Sequence, residues 1–322
     1  MFDPDDETVD ADGCARWMDD AGRELPPLEA IDRLKRLQAK FPGEASLHAA
    51  EARLLESIGR DREAEKAYRR TLLISPSSWE AALDLAELLI DHDRLAEAEA
   101  LAGAVAGKRT SSARALGLLG DSWARQGRKR EAERILRKAL DIDPQAAWIA
   151  RRLTDLISER GAHGEVLQLI EATVVEGPGD ALNHGYLGDA LLQLGRTGEA
   201  EAAFRRALDL DPSYAWAGRE LADLLASRGK MEESRRILEG LIDLDPLDPY
   251  NLGYLGDLLA REGKVDEAVD RFRTAIWLHP GYAWAARRLA EVLDERAAVP
   301  CLAEADAHVP TERRDAPDGA GP

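Results

Sequence analysis

The sequence predicts an all-α fold built from helix pairs that repeat at a constant interval, and two observations support this prediction. Residues that favour helices, above all Ala, Leu, Glu and Arg, are abundant, while runs of the Val, Ile and Thr that strands need are scarce. Prolines recur with a spacing of 34 or a multiple of it, and Thr110 takes the one missing place. The series consists of Pro42, Pro76, Pro144, Pro178, Pro212, Pro246 and Pro280. A period of this length indicates a stack of supersecondary repeats.

Three further positions keep this period when each repeat is numbered so that its proline is position 32. Glycine at position 15 ends a first amphipathic helix, helix A, where a left-handed residue is needed, and the proline follows a second, helix B, which cannot continue through it. A small alanine at position 20 lets the helices approach closely, and a large residue at position 24 is expected to fill the space between repeats. The glycines are Gly59, Gly127, Gly161, Gly195, Gly229 and Gly263; the alanines are Ala64, Ala98, Ala132, Ala200 and Ala268; the large residues are Tyr68, Leu136, Ile170, Phe204, Leu238 and Phe272.

This pattern resembles the tetratricopeptide repeat (TPR), most clearly in "ALNHGYLGDALLQLGRTGEAEAAFRRALDLDP" (181–212) and "PYNLGYLGDLLAREGKVDEAVDRFRTAIWLHP" (249–280). The resemblance covers residues 25–296 as a lone helix B, seven repeats and a closing helix A. It implies a right-handed superhelical solenoid of antiparallel helix pairs. It also implies that helix A lines a concave groove and that the usual task is to hold a peptide or another protein.

Two terminal segments and two repeats depart from the period. Residues 1–24, with nine acids and two arginines, are predicted to be mostly disordered, although Trp17 is expected to dock on the first repeat; residues 297–322 are predicted to be a disordered tail. The second repeat lacks its proline and ends in "AGKRTSS", so its helix B is expected to be less well defined. The fourth has Val166 at the alanine position and leaves through "TVVEGPG", which predicts the loosest joint of the stack.

The charge and the apolar runs exclude several classes of partner. The net charge of −18 argues against nucleic acid, because phosphate binding needs a basic face. No apolar run approaches the length of a membrane span, and the N-terminus lacks the basic and apolar regions of a secretory signal. The two cysteines, Cys14 and Cys301, favour no disulfide framework. A cytoplasmic protein is therefore expected.

A tryptophan phrase recurs three times at intervals of two repeats, in the fourth repeat, the sixth repeat and the closing helix A: "PQAAWIARRLTDLI" (144–157), "PSYAWAGRELADLL" (212–225) and "PGYAWAARRLAEVL" (280–293). It places tryptophan, arginine and an acid at positions 2, 5 and 9 of helix A. These positions lie on one stripe of a helix, away from the apolar positions 4, 7, 8 and 11. The tryptophans are therefore predicted to lie outside the core and to face the concave groove.

The intervening repeats have glycine at position 5, namely Gly117, Gly185 and Gly253. Glycine in mid-helix costs about 1 kcal/mol relative to alanine. The simplest reason is space for a neighbouring tryptophan ring or for a ligand. The structural module is therefore predicted to be a pair of repeats.

Position 9 is acidic in the second to seventh repeats and in the closing helix A, which predicts a ladder of carboxylates along the groove, flanked by tyrosines, that favours a partner with Lys or Arg. The ladder consists of Glu87, Asp121, Asp155, Asp189, Asp223, Asp257 and Glu291. The predicted partner-binding residues are Trp148, Arg151, Asp155, Asp189, Trp216, Arg219, Asp223, Tyr254, Asp257, Trp284, Arg287 and Glu291. In the alternative interpretation, the tryptophans seal the groove. The Arg–acid pairs at i,i+4 spacing (Arg151–Asp155, Arg219–Asp223 and Arg287–Glu291) then only neutralise the helix surface.

The function predicted from these features is a non-catalytic scaffold that binds a protein or peptide with basic or extended segments. An alternative is a homo-oligomerising protein or a fixed subunit of an enzyme complex; a saccharide-binding groove is less favoured. Carboxylates on successive helices should lie about 10 Å apart, beyond the spacing of a glycosidase pair. The histidines do not have metal-ligand spacing and no glycine loop fits a phosphate. No catalytic, cofactor or metal residues are therefore predicted.

Overall fold

In the computed structural model, which describes residues 26–294, every regular element is an α-helix, as the sequence predicts. The two terminal segments, with Trp17 and both cysteines, lie outside the described residues. The helices are α1 Pro27–Lys40, α2 Ala45–Ser57, α3 Asp61–Ile74, α4 Trp79–Asp91, α5 Leu95–Lys108, α6 Ala113–Arg125, α7 Lys129–Ile142, α8 Ala147–Glu159, α9 His163–Glu176, α10 Ala181–Gln193, α11 Thr197–Leu210, α12 Ala215–Ser227, α13 Met231–Leu244, α14 Pro249–Arg261, α15 Val265–Leu278 and α16, over 283–294.

The helices keep the repeat register of the sequence. From α2 to α15, each helix A has 13 residues and each helix B has 14 residues. Corresponding helices begin at the same repeat position. Helix α1 stands in the place of a lone helix B before the first repeat, and α16 follows the seventh repeat as a further helix A.

The core lies where the period places small and large residues together. The alanines at position 20 are fully buried, and so are the large residues at position 24, from Tyr68 to Phe272. Val166 of the fourth repeat and Ser234 of the sixth take the alanine place and are buried as well. Burial of a large side chain beside a small one, in every repeat except the second, gives each helix pair a core shared with its neighbours.

The turn between the two helices of a repeat needs a left-handed residue. Six repeats have glycine there with φ between 72° and 80°, and the second repeat has Asp93 with φ 57°. The expectation of a poorly defined helix B in this repeat is wrong, because α5 is as long as its counterparts. Its alanine-rich sequence favours the helix throughout, and the Arg109 amide closes its end on the Val105 carbonyl.

The chain divides into two compact units, the first ending at Glu176 and the second beginning at Gly177. The boundary falls inside "TVVEGPG", the exit of the fourth repeat. Helices α1–α9 form the first unit and α10–α16 the second, and each is described by itself below. None of the helices between residues 26 and 294 is both long and apolar enough to span a bilayer.

Candidate functional site

The glycines at position 5 lie against aromatic rings of the following repeat. A Cβ atom added at Gly117 would overlap Cη2 of Trp148 and lie 2.9 Å from Cζ2 of the same ring, closer than real Cβ contacts. In the second unit the same construction at Gly185 meets Tyr214 at 2.6 Å and Trp216 at 3.1 Å. At Gly253 the nearest rings are those of Tyr282 and Trp284, at 2.8 and 3.3 Å. The predicted role of the glycine, to make room for a neighbouring ring, is therefore what the structure has.

We call each such arrangement a Gly–Trp module: Gly117 with Trp148, Gly185 with Trp216, and Gly253 with Trp284. The rings of the second unit also reach the core. The Trp216 ring centroid lies 6.2 Å from that of Phe204 and 5.9 Å from that of Tyr186. The corresponding distances from Trp284 are 6.3 Å to Phe272 and 5.4 Å to Tyr254.

The tryptophans are thus half-buried between repeats, whereas the sequence predicted them outside the core. The reason is their direction. A side chain near the start of a helix points back towards the N-terminus, and here that direction leads over the preceding repeat. A helical wheel shows the faces of a single helix, so it cannot show contact with the preceding repeat.

The arginines at position 5 do not all pair with the acid at position 9. Arg219 donates from Nη1 to Oδ1 of Asn251 at 2.8 Å and to Oδ2 of Asp248 at 3.2 Å. Asp223 instead accepts a hydrogen bond from Arg261 at 2.7 Å. The expected Arg219–Asp223 pair is therefore wrong, because the carboxylate that caps the start of α14 and the buried amide of Asn251 offer Arg219 closer acceptors.

The remaining predicted positions vary in exposure. Glu291 pairs with Arg288 and not with the expected Arg287, which is exposed. Arg151 is half-buried and Asp155 exposed on α8, and each has an interaction partner.

Two acids of the ladder are buried, and each lies between two arginines. Asp121 lies 3.6 Å from Arg125, at position 13 of its own helix, and 3.3 Å from Arg152, at position 6 of the next repeat. In the second unit Asp257 has the same neighbours, Arg261 at 2.7 Å and Arg288 at 2.6 Å. Both aspartates are only 6% exposed, so the guanidinium groups offset the cost of burying their charge.

The equivalent acid of the fifth repeat, Asp189, has neither arginine. Position 13 is Gln193, whose amide donates to Asp189 at 3.4 Å, and position 6 of the next repeat is Glu220. Burial raises the pKa of the Glu220 carboxyl, and the charges of Asp189 and Asp223 raise it further. Arg219 and a hydrogen bond from Tyr254 act in the opposite direction.

We call Asp189, Glu220, Asp223 and Tyr254 the acidic site. It brings together three of the predicted partner-binding residues with Glu220, which the sequence analysis did not select. The signal for Glu220 was present in the sequence: positions 13 and 6 are Arg125 and Arg152 in one module and Arg261 and Arg288 in another. The described residues 26–294 contain no group of three or more His, Cys, Asp or Glu side chains arranged to hold a metal ion.

Comparisons with known proteins agree with this architecture. Two family models described as tetratricopeptide repeat match the chain, one at residues 83–147 and 162–215 and the other at residues 191–250. Curated protein sequences gave no significant match.

Solved structures show the same fold at low sequence identity. A chain of the APC/C hetero-tetramer Cut9–Hcn1 aligns with a TM-score of 0.63 and 16% identity over 88% of this chain and 54% of that one. Yeast Tom70 aligns with a TM-score of 0.64 and 15% identity, over 88% of this chain and 62% of its own. A tetratricopeptide repeat protein from Parabacteroides merdae aligns with a TM-score of 0.58 and 14% identity, over 77% of this chain and 98% of its own. This chain therefore spans little more than half of the first of these relatives.

The fold and the periodic helix-A face define a helical-repeat protein of the solenoid class. The chain belongs to the tetratricopeptide-repeat family. Proteins of this family are generally non-catalytic scaffolds, and the repeats of this chain support a scaffold for protein–protein interaction.

Proposed function

We propose that the chain is a non-catalytic, cytoplasmic scaffold that binds an extended segment of a partner protein in the groove lined by helix A. In this proposal a Lys or Arg side chain of the partner enters the acidic site. The observation that supports it is the surroundings of Asp189. This acid has Gln193 and Glu220 at the two places where Asp121 and Asp257 each have arginines.

The charges around Asp189 differ from those around its counterparts Asp121 and Asp257. At Asp121 and Asp257 two guanidinium groups offset the charge of each buried carboxylate. At Asp189 a second carboxylate, that of Glu220, stands in the place of that cation; the Asp189 charge and burial both oppose ionisation of Glu220. A cation from a partner would remove this repulsion, and charge-assisted hydrogen bonds in such partly enclosed places are stronger than neutral ones.

Other predicted residues keep supporting roles in the proposal. Arg287 and Glu291, in the same unit as the acidic site, supply polar contacts beside it, and Arg151 and Asp155 supply polar contacts on the helix-A face of the first unit. The tryptophans act mainly by holding the helix-A face in shape, because their rings are packed on the preceding repeat.

The test is a charge reversal that gives Asp189 the arginine neighbour that Asp121 and Asp257 have. Glu220→Arg places an arginine at position 6, beside Asp189, as Arg152 lies beside Asp121. We expect this variant to be folded and to lose the proteins that the wild-type chain captures from its native lysate, identified by mass spectrometry. Glu232→Arg is the matched control, because Glu232 is an exposed residue of α13 in the same unit. Capture of the same proteins by Glu220→Arg would reject the acidic site as the binding site.

A second candidate function, self-association or a fixed place in a larger complex, is favoured by one observation. Trp277 on α15 is 78% exposed, and Leu244 and Leu247 of the same unit are 60% and 68% exposed. Apolar side chains of this size are common in protein contacts. Light scattering over a range of concentrations tests the homo-oligomer: a constant monomer mass would rule it out, and a mass that rises with concentration but not in Trp277→Glu would support it.

A further inference from the structure

The first unit contains a cavity of about 330 Å³ on the helix-A side of its first two repeats. Its lining includes Ala45, Ala49 and Arg53 from α2, Ser78 before α4, and Trp79 and Glu80 at the start of α4. This volume is at the lower end of the range for ligand cavities, roughly 300–1,000 Å³. It therefore suits one side chain better than a larger molecule.

The repeat register shows what this place corresponds to in the rest of the chain. Ala49 is at position 5, where Gly117 lies two repeats later, and Glu80 is at position 2, where Trp148 lies two repeats later. Ser78 corresponds to Tyr214, the second ring that contacts a position-5 glycine. The first pair of repeats thus has a small residue at the glycine place but no ring at either of the two positions, Ser78 and Glu80, that supply rings elsewhere.

We propose that this cavity binds an aromatic side chain of a protein partner, which lies over Ala49 as the tryptophan rings lie over glycine in the Gly–Trp modules. The proposal rests on the proposed protein-binding function but not on the acidic site, which belongs to the other unit. The partner chemistry it adds is an aromatic ring.

The lining suits such a ring. Ala45 and Ala49 provide an apolar floor, and Ala49 is only 8% exposed. The Trp79 indole forms part of the wall and is held by Arg109, whose guanidinium carbon lies 4.3 Å from the centre of the indole ring. A second aromatic ring gains both area and a favourable ring–ring contact against such a wall.

Two charged groups at the edge suit the polar parts of an aromatic side chain. Glu80 is exposed, and its carboxylate can accept the N–H of an indole or the O–H of a phenol. The chain already contains this contact elsewhere, because Trp123 donates from Nε1 to Oε1 of Glu99 at 2.8 Å. Arg53 lines the cavity as well, so its guanidinium, which lies 3.5 Å from Asp84, can meet a ring face there.

The direct test uses N-acetyl-tryptophanamide as the probe and amide NMR shifts of the full chain as the readout. We expect saturable shifts at Ala49, Ser78 and Glu80, and much smaller ones with N-acetyl-leucinamide. Glu80→Trp introduces the tryptophan that the Gly–Trp modules have at position 2. It should fill the cavity and weaken probe binding at least tenfold. Ala49→Leu is a second filling variant, and Glu171→Trp, on an exposed face of α9, is the control for adding a tryptophan.

Several results would overturn the proposal. They are the absence of shifts at the cavity, equal shifts with the leucine probe, or unchanged probe binding in both filling variants. Probe binding that appears only in Trp17→Ala would assign the cavity to the chain's own N-terminal segment and reject a partner as its occupant.

Capture from lysate separates this proposal from the acidic site. Where the tryptophan probe binds at the cavity, loss of proteins in Glu80→Trp but not in Glu171→Trp supports the aromatic contact, whatever Glu220→Arg does. Unchanged capture by Glu80→Trp rejects the partner even where the probe binds.

Discussion

Gly117 lies in the middle of α6, where glycine costs about 1 kcal/mol relative to alanine. The ring of Trp148 accounts for it, because any Cβ at this place would overlap Cη2. The same chain contains Gly103 in the middle of α5, with nothing within 4 Å of an added Cβ. These two residues make a matched pair, since only the surroundings of the glycine differ.

Replacement of these two glycines by alanine should have opposite effects. Gly117→Ala should lower the free energy of unfolding by about 1–3 kcal/mol, because overpacking outweighs the gain in helix propensity. Gly103→Ala should raise it by up to about 1 kcal/mol. Denaturant unfolding followed by circular dichroism measures both. The Gly117→Ala loss should shrink when Trp148→Ala is added; a loss that stays the same would show that the ring is not the cause.

Glu220 gives stability a particular pH dependence. Because burial and two neighbouring carboxylates raise its pKa in the folded chain, ionisation costs more in the folded than in the unfolded state. Glu220→Gln should therefore be more stable than wild type at neutral pH. The difference should disappear as the pH falls below the ordinary carboxyl pKa of 4.5, where wild-type Glu220 is protonated in both states. Unfolding curves at several pH values check this, with the exposed Glu232→Gln as control; a wild type as stable as the variant at neutral pH would contradict it.

Among the structural elements, the turn between helix A and helix B in the second repeat differs from the other six turns of this kind. Asp93 takes a left-handed conformation that the other repeats give to glycine. A left-handed backbone costs an L-residue about 1–2 kcal/mol, whereas glycine loses roughly 0.5–1 kcal/mol through its greater freedom when unfolded.

Asp93→Gly should therefore raise the free energy of unfolding by up to about 1 kcal/mol, and the reverse exchange Gly127→Asp should lower it by a similar amount. Thermal and urea unfolding of the two single variants provide the measurement. A stabilising Gly127→Asp would show that side-chain contacts, and not the backbone, decide this turn.

At this scale the sequence predicted the regular features and missed the contacts between repeats. The helix register followed from the prolines and the position-15 glycines, because both act on their immediate neighbours in the chain. The partner of Arg219 did not follow, because Asp248 and Asn251 belong to the next repeat. The direction of Trp216 over Gly185 was missed for the same reason, although the space at the glycine was anticipated. Glu220 could have been recognised only by comparing positions 6 and 13 across modules.

The whole molecule carries a net charge of −18, which acts at longer range than any single site. Such a field speeds the approach of a basic partner, and salt screens it over about 10 Å at 0.1 M. For a captured basic partner, the association rate should fall steeply with ionic strength while the dissociation rate changes little. Surface plasmon resonance at several salt concentrations measures both rates. A salt-independent association rate would indicate that the approach of the partner does not depend on the negative charge of this chain.

The Gly–Trp contact also implies that a chain of this kind tolerates the gain or loss of an even number of repeats better than that of an odd number. Removal of residues 249–282, one repeat, would set Trp284 against Arg219, the position-5 residue of the sixth repeat. Removal of residues 215–282, two repeats, would set the same ring against Gly185, where a ring already fits. The variant that lacks one repeat should therefore have a lower melting temperature than the variant that lacks two repeats, although it retains more of the protein. Duplication and loss by recombination would then be tolerated in steps of two repeats, which makes the pair, and not the single helix hairpin, the heritable unit of this architecture.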